Sequence, residues 1–362
     1  MRVVLMADEA YAVRERAMLV RLGVGMADEG IRVIHATPRA ASNPSDDLSA
    51  EQVEYEGRGL TMSRGWRTRQ FVERLAEVPS GSEGPIGIVH VFGRGAWELA
   101  AETAHDLGVA LAVEVASGED AAAVADFHKS HGLRGACLVT DPLLEDRLRS
   151  MAPELAVRVT PWGVHAPSSP RAILEPERAP ALLIVGGGED RAALGGALDA
   201  IAAAAARWSD LAPFAEGDAV MRAGLWGRVR ELKLHERLTL VPDVQGRADL
   251  ALMVDLMLFP RSAAPRSIML EAMAAGVAVV ASADPLSSVL ADGRTARVAD
   301  SPAAWTAAVV GLIESPESAR ALGRSAHQWV RHHRRASTHV AAVIDAYEWV
   351  STSGTLRFPN TG

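Results

Sequence analysis

Short apolar runs alternate with longer amphipathic stretches along almost the whole chain. Apolar runs bounded by turn residues are typical of buried parallel strands, and amphipathic stretches predict helices. The predicted strands lie in 2–7, 31–37, 86–93, 109–116, 136–140, 157–164, 181–188, 211–218, 237–244, 255–259 and 277–281. The predicted helices are 14–27, 63–77, 96–107, 118–132, 141–151, 192–207, 219–232, 267–275, 302–314, 318–332 and 337–350. Residues 40–60 are polar and are predicted to be irregular. This alternation predicts an α/β fold with parallel sheets.

The alternation stops once and then starts again, which predicts two domains. Residues 166–180 are rich in Pro, Ser and charged side chains and are interpreted as a linker. The N-terminal domain is then 1–165 and the C-terminal domain 181–336. A further helix over 337–350 can pack back on the N-terminal domain, and 351–362 is expected to be a flexible tail. We therefore expect two doubly wound parallel-sheet domains that face an interdomain cleft.

The composition supports a globular protein large enough for two cores. The chain has 362 residues, of which 49% are hydrophobic and 23% charged. The single cysteine, Cys137, excludes an internal disulfide and lies in an apolar run, so we expect an inert core thiol and a reducing cytoplasm. The net charge of −8 argues against a general nucleic-acid partner. No secretory signal or transmembrane segment is recognisable, and the predicted location is cytoplasmic.

The most informative segment is 255–282, DLMLFPRSAAPRSIMLEAMAAGVAVVAS. Its pattern predicts a strand, a loop, a helix with Ser267 as its N-cap and Gly276 at its end, and a second strand. Glu271 would then lie in the early turns of a helix at the carboxyl end of a strand, where open α/β sheets bind ligands. A carboxylate there can accept hydrogen bonds from ribose hydroxyls. The alternative is an acid that only stabilises the helix dipole, worth ~0.3–1 kcal/mol.

Other residues could contact a phosphate. Three glycines, Gly186, Gly187 and Gly188, follow a predicted strand and could face a phosphate or form an ordinary tight turn. Arg266 precedes the helix of Glu271 and could bind a diphosphate through two donors. It could equally be a solvated side chain, and the same alternatives hold for Arg222 and Arg261.

One histidine is a candidate general base. His90 belongs to a predicted strand near the carboxyl edge of the sheet, where a base could stand. A histidine in an apolar strand can also be a hydrogen-bonded core residue, and both interpretations remain open. We find no His, Cys and Asp cluster with the spacing of a metal site, so no metal is predicted.

Three segments together resemble the GT-B glycosyltransferases, in particular the retaining glycosyltransferase family 4. PWGVHAP (161–167) resembles the family's PxGVD segment, and VLADGRTARVAD (289–300) resembles a segment of the C-terminal domain. Residues 255–282 resemble the best-known signature. The resemblance covers nearly the whole chain and is strongest over 230–330. It implies a GT-B architecture of two Rossmann-like domains, of which the C-terminal one holds a nucleotide-sugar and the N-terminal one an acceptor.

The same resemblance assigns candidate donor-site residues. Glu271 matches the second of two signature glutamates and would hold the ribose, whereas the first falls on Ala263, which has no carboxylate. A glycine pair of the family is replaced by Ala264 and Arg266. Ser267 would lie beside these residues at the start of the helix.

Further family positions concern the diphosphate, the base and the acceptor. The family's Arg and Lys after the first C-domain strand fall on Gly187 and Ala192, and Arg191 lies one residue away. Backbone near Val241 and Val244 would contact the base. The family's His-x-His pattern is reduced here to His90 followed by Val and Phe.

The resemblance implies transfer of a sugar from a nucleotide-diphosphate-sugar to an unknown glycan, lipid or small-molecule acceptor. No cofactor or metal is expected, because helix dipoles and arginines can carry the diphosphate charge. The loss of one preorganised polar group typically slows a reaction ~10²–10³-fold. The alternative is therefore a catalytically inactive GT-B protein that acts as a binding module or as partner of an active transferase. A third hypothesis is a nucleotide-sugar epimerase or hydrolase with Glu114 and Asp141 as its carboxylates.

Overall fold

The computed structural model divides the chain into two compact units. The first unit is Met1–Trp162 with Ala336–Gly362, and the second is Gly163–Arg335. The residues that the structure describes are 1–41, 51–57, 64–79, 84–186, 188–242, 252–261 and 266–353. Each unit is built on one parallel sheet with helices, as the sequence predicts.

The sheet of the first unit contains seven parallel strands in the order β3-β2-β1-β4-β5-β6-β7 among the described residues. The strands are β1 (Arg2–Ala7), β2 (Arg32–Pro38), β3 (Glu51–Tyr55), β4 (Ile86–Phe92), β5 (Ala110–Val115), β6 (Ala136–Val139) and β7 (Ala156–Val159). Every residue of β1 and β5 is buried. This pattern is expected of central parallel strands that helices cover on both faces.

Six helices of this unit follow the strands in sequence. They are α1 (Glu9–Arg14), α2 (Arg16–Asp28), α3 (Arg64–Glu77), α4 (Trp97–Leu107), α5 (Gly118–His131) and α6 (Pro142–Met151). Their ends follow local chemistry. Ser117 caps α5 by accepting a hydrogen bond from the Asp120 N–H, and Gly132 ends it in a left-handed conformation. Asp141 caps α6, whose first residue is a proline.

The sheet of the second unit contains six described strands, all parallel, in the order β10-β9-β8-β11-β12-β13. The strands are β8 (Ala181–Ile184), β9 (Ala212–Glu216), β10 (Thr239–Val241), β11 (Leu256–Phe259), β12 (Ala278–Ser282) and β13 (Arg297–Ala299). The helices are α7 (Arg191–Ala205), α8 (Gly217–Arg222), α9 (Trp226–Glu231), α10 (Arg266–Ala275), α11 (Pro302–Glu314) and α12 (Pro316–His333). Their apolar faces and the strands form the core of this unit.

The last helix, α13 (Ala336–Thr352), is part of the first unit. It packs closely on α2, because a Cβ added to Gly25 would lie 2.4 Å from Cγ2 of Val340. Tyr347 of this helix is fully buried. Among the described residues, no helix is both long and apolar enough to cross a membrane.

The sequence predictions differ from the structure at three elements. The predicted helix 14–27 corresponds to α2 (Arg16–Asp28), but the sequence does not predict the short helix α1 before it. The predicted helix 219–232 is broken where Gly224 adopts a φ of +63°. Residues 51–55, predicted to be irregular, form the edge strand β3. Its alternate residues Val53 and Tyr55 are buried, and this weak alternation within a polar segment is typical of an edge strand.

Cys137 lies in β6 and is fully buried. Burial raises the pKa of its thiol to about 12. The thiol is therefore protonated at neutral pH, as the sequence analysis expects of a core cysteine.

Part of the segment interpreted as a linker packs into the core of the second unit. Ile173 and Leu174 are buried there. The buried carboxylate of Asp255, just before β11, accepts hydrogen bonds from the backbone N–H of Leu174 (3.0 Å) and of Ala181 (2.9 Å). It also pairs with the guanidinium of Arg178. Asp255 thus joins this segment and the start of β8 to the amino end of β11.

Replacement of Asp255 by alanine should destabilise the second unit. Two buried backbone donors would lose their acceptor, and each unmade hydrogen bond costs about 1–3 kcal/mol. We expect a loss of roughly 2–5 kcal/mol in the free energy of unfolding, measured by urea titration with circular dichroism. Asp199→Ala is the matched control, because this partly exposed carboxylate only pairs with Arg228 and should cost less than about 1 kcal/mol. Equal effects of the two substitutions would contradict the assigned role.

Candidate nucleotide site

The second unit has a reversal of strand order between β8 and β11. From β8 the chain extends the sheet through β9 to β10, and from β11 it extends the opposite side through β12 to β13. In open α/β sheets, ligands bind outside the carboxyl ends of the strands at such a reversal. The segments that follow β8, β9 and β11 therefore form the candidate binding site of this unit.

The loop after β8 is held by a buried carboxylate from β9. Gly186 has a φ of +66°, and its N–H donates a hydrogen bond of 2.8 Å to Oε2 of Glu216. Glu216 is the last residue of β9 and is only 7% exposed. A Cβ added to Gly188 would lie 2.9 Å from the carbonyl oxygen of Ala219 in α8. Glycine at these two positions thus permits the turn and the close approach to α8, whereas Gly187 lies outside the described residues.

Charged side chains that follow three neighbouring strands, β9, β8 and β11, lie close together around Glu189. Its carboxylate lies 3.7 Å from Nη1 of Arg222, which ends α8, and 3.7 Å from Nη1 of Arg261, which follows β11. The Arg222 Nε–H also donates to the carbonyl of Asp218 at 3.2 Å, which orients the guanidinium. Two guanidinium groups therefore flank the strand-order reversal, a pairing suited to an anion.

Arg191 is the first residue of α7 and is exposed. Its Nη1 lies 3.7 Å from the position that a Cβ on Gly224 would take, so the guanidinium lies beside the turn between α8 and α9. The carboxylate of Asp190 caps α7 by accepting a 2.9 Å hydrogen bond from the Ala193 N–H. One of the backbone N–H groups that a helix leaves unpaired at its start, that of Ala193, is therefore already hydrogen-bonded within the protein.

Helix α10 carries the ribose candidate. It begins at Arg266, one residue earlier than predicted, so Ser267 is its buried second residue and not the residue before it. Glu271 is the sixth of ten residues and is half-buried. The helix dipole acts mainly within the first turn, so it gives this carboxylate little stabilisation and the alternative role is weakened. The side chain of Arg266, with Ala263 and Ala264, lies outside the described part of the chain.

The base candidates lie further along the sheet. Val241 is the buried last residue of β10, at the outer edge next to β9, whereas Val244 lies outside the described residues. The predicted positions Gly186, Gly188 and Arg191 therefore gather after β8, and Val241 is two strands away.

The first unit uses the corresponding edge differently. Its strand order reverses between β1 and β4, and Asp8 follows β1. Oδ1 of Asp8 accepts a hydrogen bond from the Tyr11 N–H (3.0 Å), and Oδ2 accepts one from the Gly95 N–H (3.0 Å). A Cβ on Gly93, whose φ is +88°, would lie 2.2 Å from this carboxylate. The chain's own carboxylate thus takes the donors at this edge and disfavours a phosphate there.

His90 is fully buried in β4, and both of its ring nitrogens have partners. Nε2 lies 3.1 Å from Oε2 of Glu114, and Nδ1 lies 2.8 Å from Oη of Tyr347. The other oxygen of Glu114 accepts a 2.6 Å hydrogen bond from Nε1–H of Trp162. These contacts favour the structural interpretation of His90 over that of a general base, because either ring nitrogen would have to release a partner first.

Burial, with a smaller contribution from the negative Glu114, raises the pKa of Tyr347 well above its ordinary value. The phenol therefore keeps its proton and can donate it to Nδ1 of His90, while Nε2–H donates to Glu114. Asp141, the other carboxylate of the epimerase or hydrolase hypothesis, is buried as the cap of α6. Both carboxylates of that hypothesis thus have structural roles in the first unit.

The comparisons with known proteins agree with this architecture. Residues 171–315 match the family model described as glycosyl transferases group 1. The chain has the GT-B fold. Sucrose-phosphate synthase from Thermosynechococcus elongatus superposes with a TM-score of 0.72 at 18% identity, covering 97% of this chain and 99% of that one. A comparison with curated proteins finds no match.

Two further GT-B neighbours cover almost the whole chain. Anabaena HepE, in a structure titled as a complex with UDP-glucose, has a TM-score of 0.71 at 13% identity and covers 97% of this chain and 100% of its own. WaaG, described as a glycosyltransferase involved in lipopolysaccharide biosynthesis, has a TM-score of 0.65 at 15% identity, with coverages of 98% and 100%. At these identities the likeness shows the fold.

Sequence reasoning missed two acidic residues of this candidate site, Glu189 and Glu216. Their partners lie on other strands' loops, so no local pattern marks them. The only available signal was the acidic residue directly after the glycines. Among the described residues, no group of three or more His, Cys, Asp and Glu side chains is arranged to hold a metal ion.

The buried histidine network should stabilise the first unit measurably. Tyr347→Phe removes the hydroxyl that contacts His90 and leaves a buried nitrogen without its partner, so we expect a loss of about 1–3 kcal/mol in urea unfolding. The control is Tyr11→Phe, because among the described residues no hydrogen bond involves the Tyr11 hydroxyl. A loss no larger than that of the control would show that the 2.8 Å contact contributes nothing.

Tyrosine ionisation offers a separate test in alkaline solution. Burial raises the pKa of Tyr55 and Tyr347 above the ordinary value near 10. Stability from these groups is complete below about pH 10 and is lost as pH rises toward their folded-state values. The Tyr11→Phe variant, with only these two tyrosines, should show no tyrosinate absorbance at about pH 11 until it unfolds. Absorbance that develops around pH 10 in the folded variant would disprove this.

Proposed function

We propose that this protein is a glycosyltransferase that moves a sugar from a nucleotide-diphosphate-sugar to an acceptor, with the donor bound by the second unit. The observation that carries the proposal is the meeting of Arg222 and Arg261 beside the glycine loop of β8, at the strand-order reversal. That unit also contains the whole segment, 171–315, that matches glycosyl transferases group 1. A diphosphate is the part of the donor that this arrangement suits.

The parts of the donor are assigned from the arrangement of the loops. The two guanidinium groups and the backbone at Gly188 receive the diphosphate, and Gly186 holds the loop in place through its hydrogen bond to Glu216. Glu271 lies on α10, the helix that follows β11 and Arg261, and its carboxylate accepts hydrogen bonds from the ribose hydroxyls. The base lies toward Val241, at the end of β10. No metal is required in this scheme, because arginines and loop N–H groups carry the negative charge.

A non-catalytic GT-B protein is the second candidate, and one residue favours it. Ala263 stands where the family's signature has its first glutamate, and its methyl group cannot interact with charge that develops on the transferred sugar. Such a protein would still bind nucleotide through the same loops. Binding and transfer must therefore be measured separately.

Calorimetric titration of the whole protein with UDP, GDP and ADP and with their common hexose conjugates tests the donor site. UDP and UDP-glucose belong in the panel because HepE, of the same fold, is titled as a complex with each. We expect one nucleotide to bind and its sugar conjugate to bind more tightly. Conversion of that conjugate with acceptor extracts would then separate transfer from binding alone. No binding across the panel would disprove the proposed donor site.

Glu271→Ala should weaken the binding of the preferred nucleotide about 10- to 100-fold, because hydrogen bonds to a charged acceptor are lost. The same nucleotide without its 2′- and 3′-hydroxyls should bind the variant and the wild type equally. Glu236→Ala removes an exposed carboxylate of the same unit and serves as the control. Equal losses for both nucleotides would show that Glu271 does not contact the ribose.

A further inference from the structure

Glu189 occupies the position between the two arginines of the proposed donor site. Its side chain is 37% exposed, and those of Arg222 and Arg261 are 46% and 24% exposed. A ligand from solution can therefore reach all three groups. Glu189 lies in the loop that follows β8. The two arginines approach it from either side, Arg222 after β9 and Arg261 after β11.

The geometry of these ion pairs is loose. Both separations are 3.7 Å, longer than the 2.7–2.9 Å typical of a charge-assisted hydrogen bond. One carboxylate also offers a single negative charge to two guanidinium groups. A diphosphate carries more charge and more acceptor oxygens than a carboxylate and can make closer contacts with both arginines.

Movement of Glu189 does not require α7 to unwind. The side chain that caps this helix is the next residue, Asp190, through its 2.9 Å hydrogen bond from the Ala193 N–H. The loop itself is anchored by the hydrogen bond between Gly186 and Glu216. Both contacts can persist while the Glu189 side chain rotates away.

We propose that Glu189 is an internal counter-ion that holds Arg222 and Arg261 in the free protein and is displaced when a diphosphate binds. This inference rests on the proposed donor site of the second unit. Because the carboxylate must be displaced and then repels the bound anion, it lowers affinity for every anion. A ligand that replaces the carboxylate at both arginines must itself carry enough negative charge to pair with both, which a diphosphate does. Glu189 thus sets the affinity of the site for a diphosphate.

The test is Glu189→Gln in the whole protein, with affinities for UDP, pyrophosphate and uridine measured by calorimetry. The variant keeps the shape of the side chain and removes its charge. We expect UDP and pyrophosphate to bind about two- to tenfold more tightly than in the wild type, and uridine to be unchanged. The gain should shrink at about 1 M salt, where exposed charges are screened. Glu236→Gln removes the same charge from an exposed site of the same unit and should leave all three affinities unchanged.

The outcomes separate the inference from the proposed function. If the wild type binds UDP and Glu189→Gln binds it equally or less tightly, Glu189 is not a competitor, and the donor site stands. If neither protein binds UDP or pyrophosphate, this inference is wrong, and the donor site is wrong as well if GDP and ADP also fail to bind. Should the Gln variant not fold, Glu189→Ala removes the same charge from this partly exposed position and is judged by the same criteria.

Discussion

Both sheets consist of parallel strands, and the described strand pairs show no exception. A parallel pair cannot be joined by a tight turn, so each strand must be followed by a crossover, usually a helix. This constraint places all loops that follow strands on one edge of each sheet. The reversal of strand order then leaves one point on that edge where no crossover closes the space between two neighbouring loops. The candidate site of the second unit follows directly from this geometry.

The two units place opposite chemistry at equivalent points of their sheets. In the first unit Asp8 accepts hydrogen bonds from the N–H groups of Tyr11 and Gly95, so a carboxylate already satisfies the donors. In the second unit Glu216 likewise accepts from the Gly186 N–H, but the neighbouring loops also supply Arg222 and Arg261. The same fold can therefore attract an anion in one unit and disfavour it in the other, because the difference lies in a few loop side chains.

Each unit also contains a buried carboxylate that joins distant parts of the chain. Glu114 accepts from Trp162 and from His90, which in turn contacts Tyr347 of the last helix. Asp255 accepts from two backbone N–H groups and pairs with Arg178. Burial of a carboxylate is unfavourable unless its oxygens are hydrogen-bonded, and several donors converge in both cases. These clusters explain how α13 is attached to the first unit and how the segment before β8 is attached to the second.

The sequence by itself determined the α/β class, most strands and helices, and the helix that carries Glu271, because alternation of apolar and polar residues is a local property. It did not reveal the edge strand β3, whose alternation is weak within a polar segment, the short helix α1, or the break at Gly224. Only the tertiary structure decided the partners of His90, one of which lies 257 residues away, and the meeting of Glu189 with two arginines. Such contacts depend on strand order, which is set by the packing of the whole unit and leaves no local pattern in the chain.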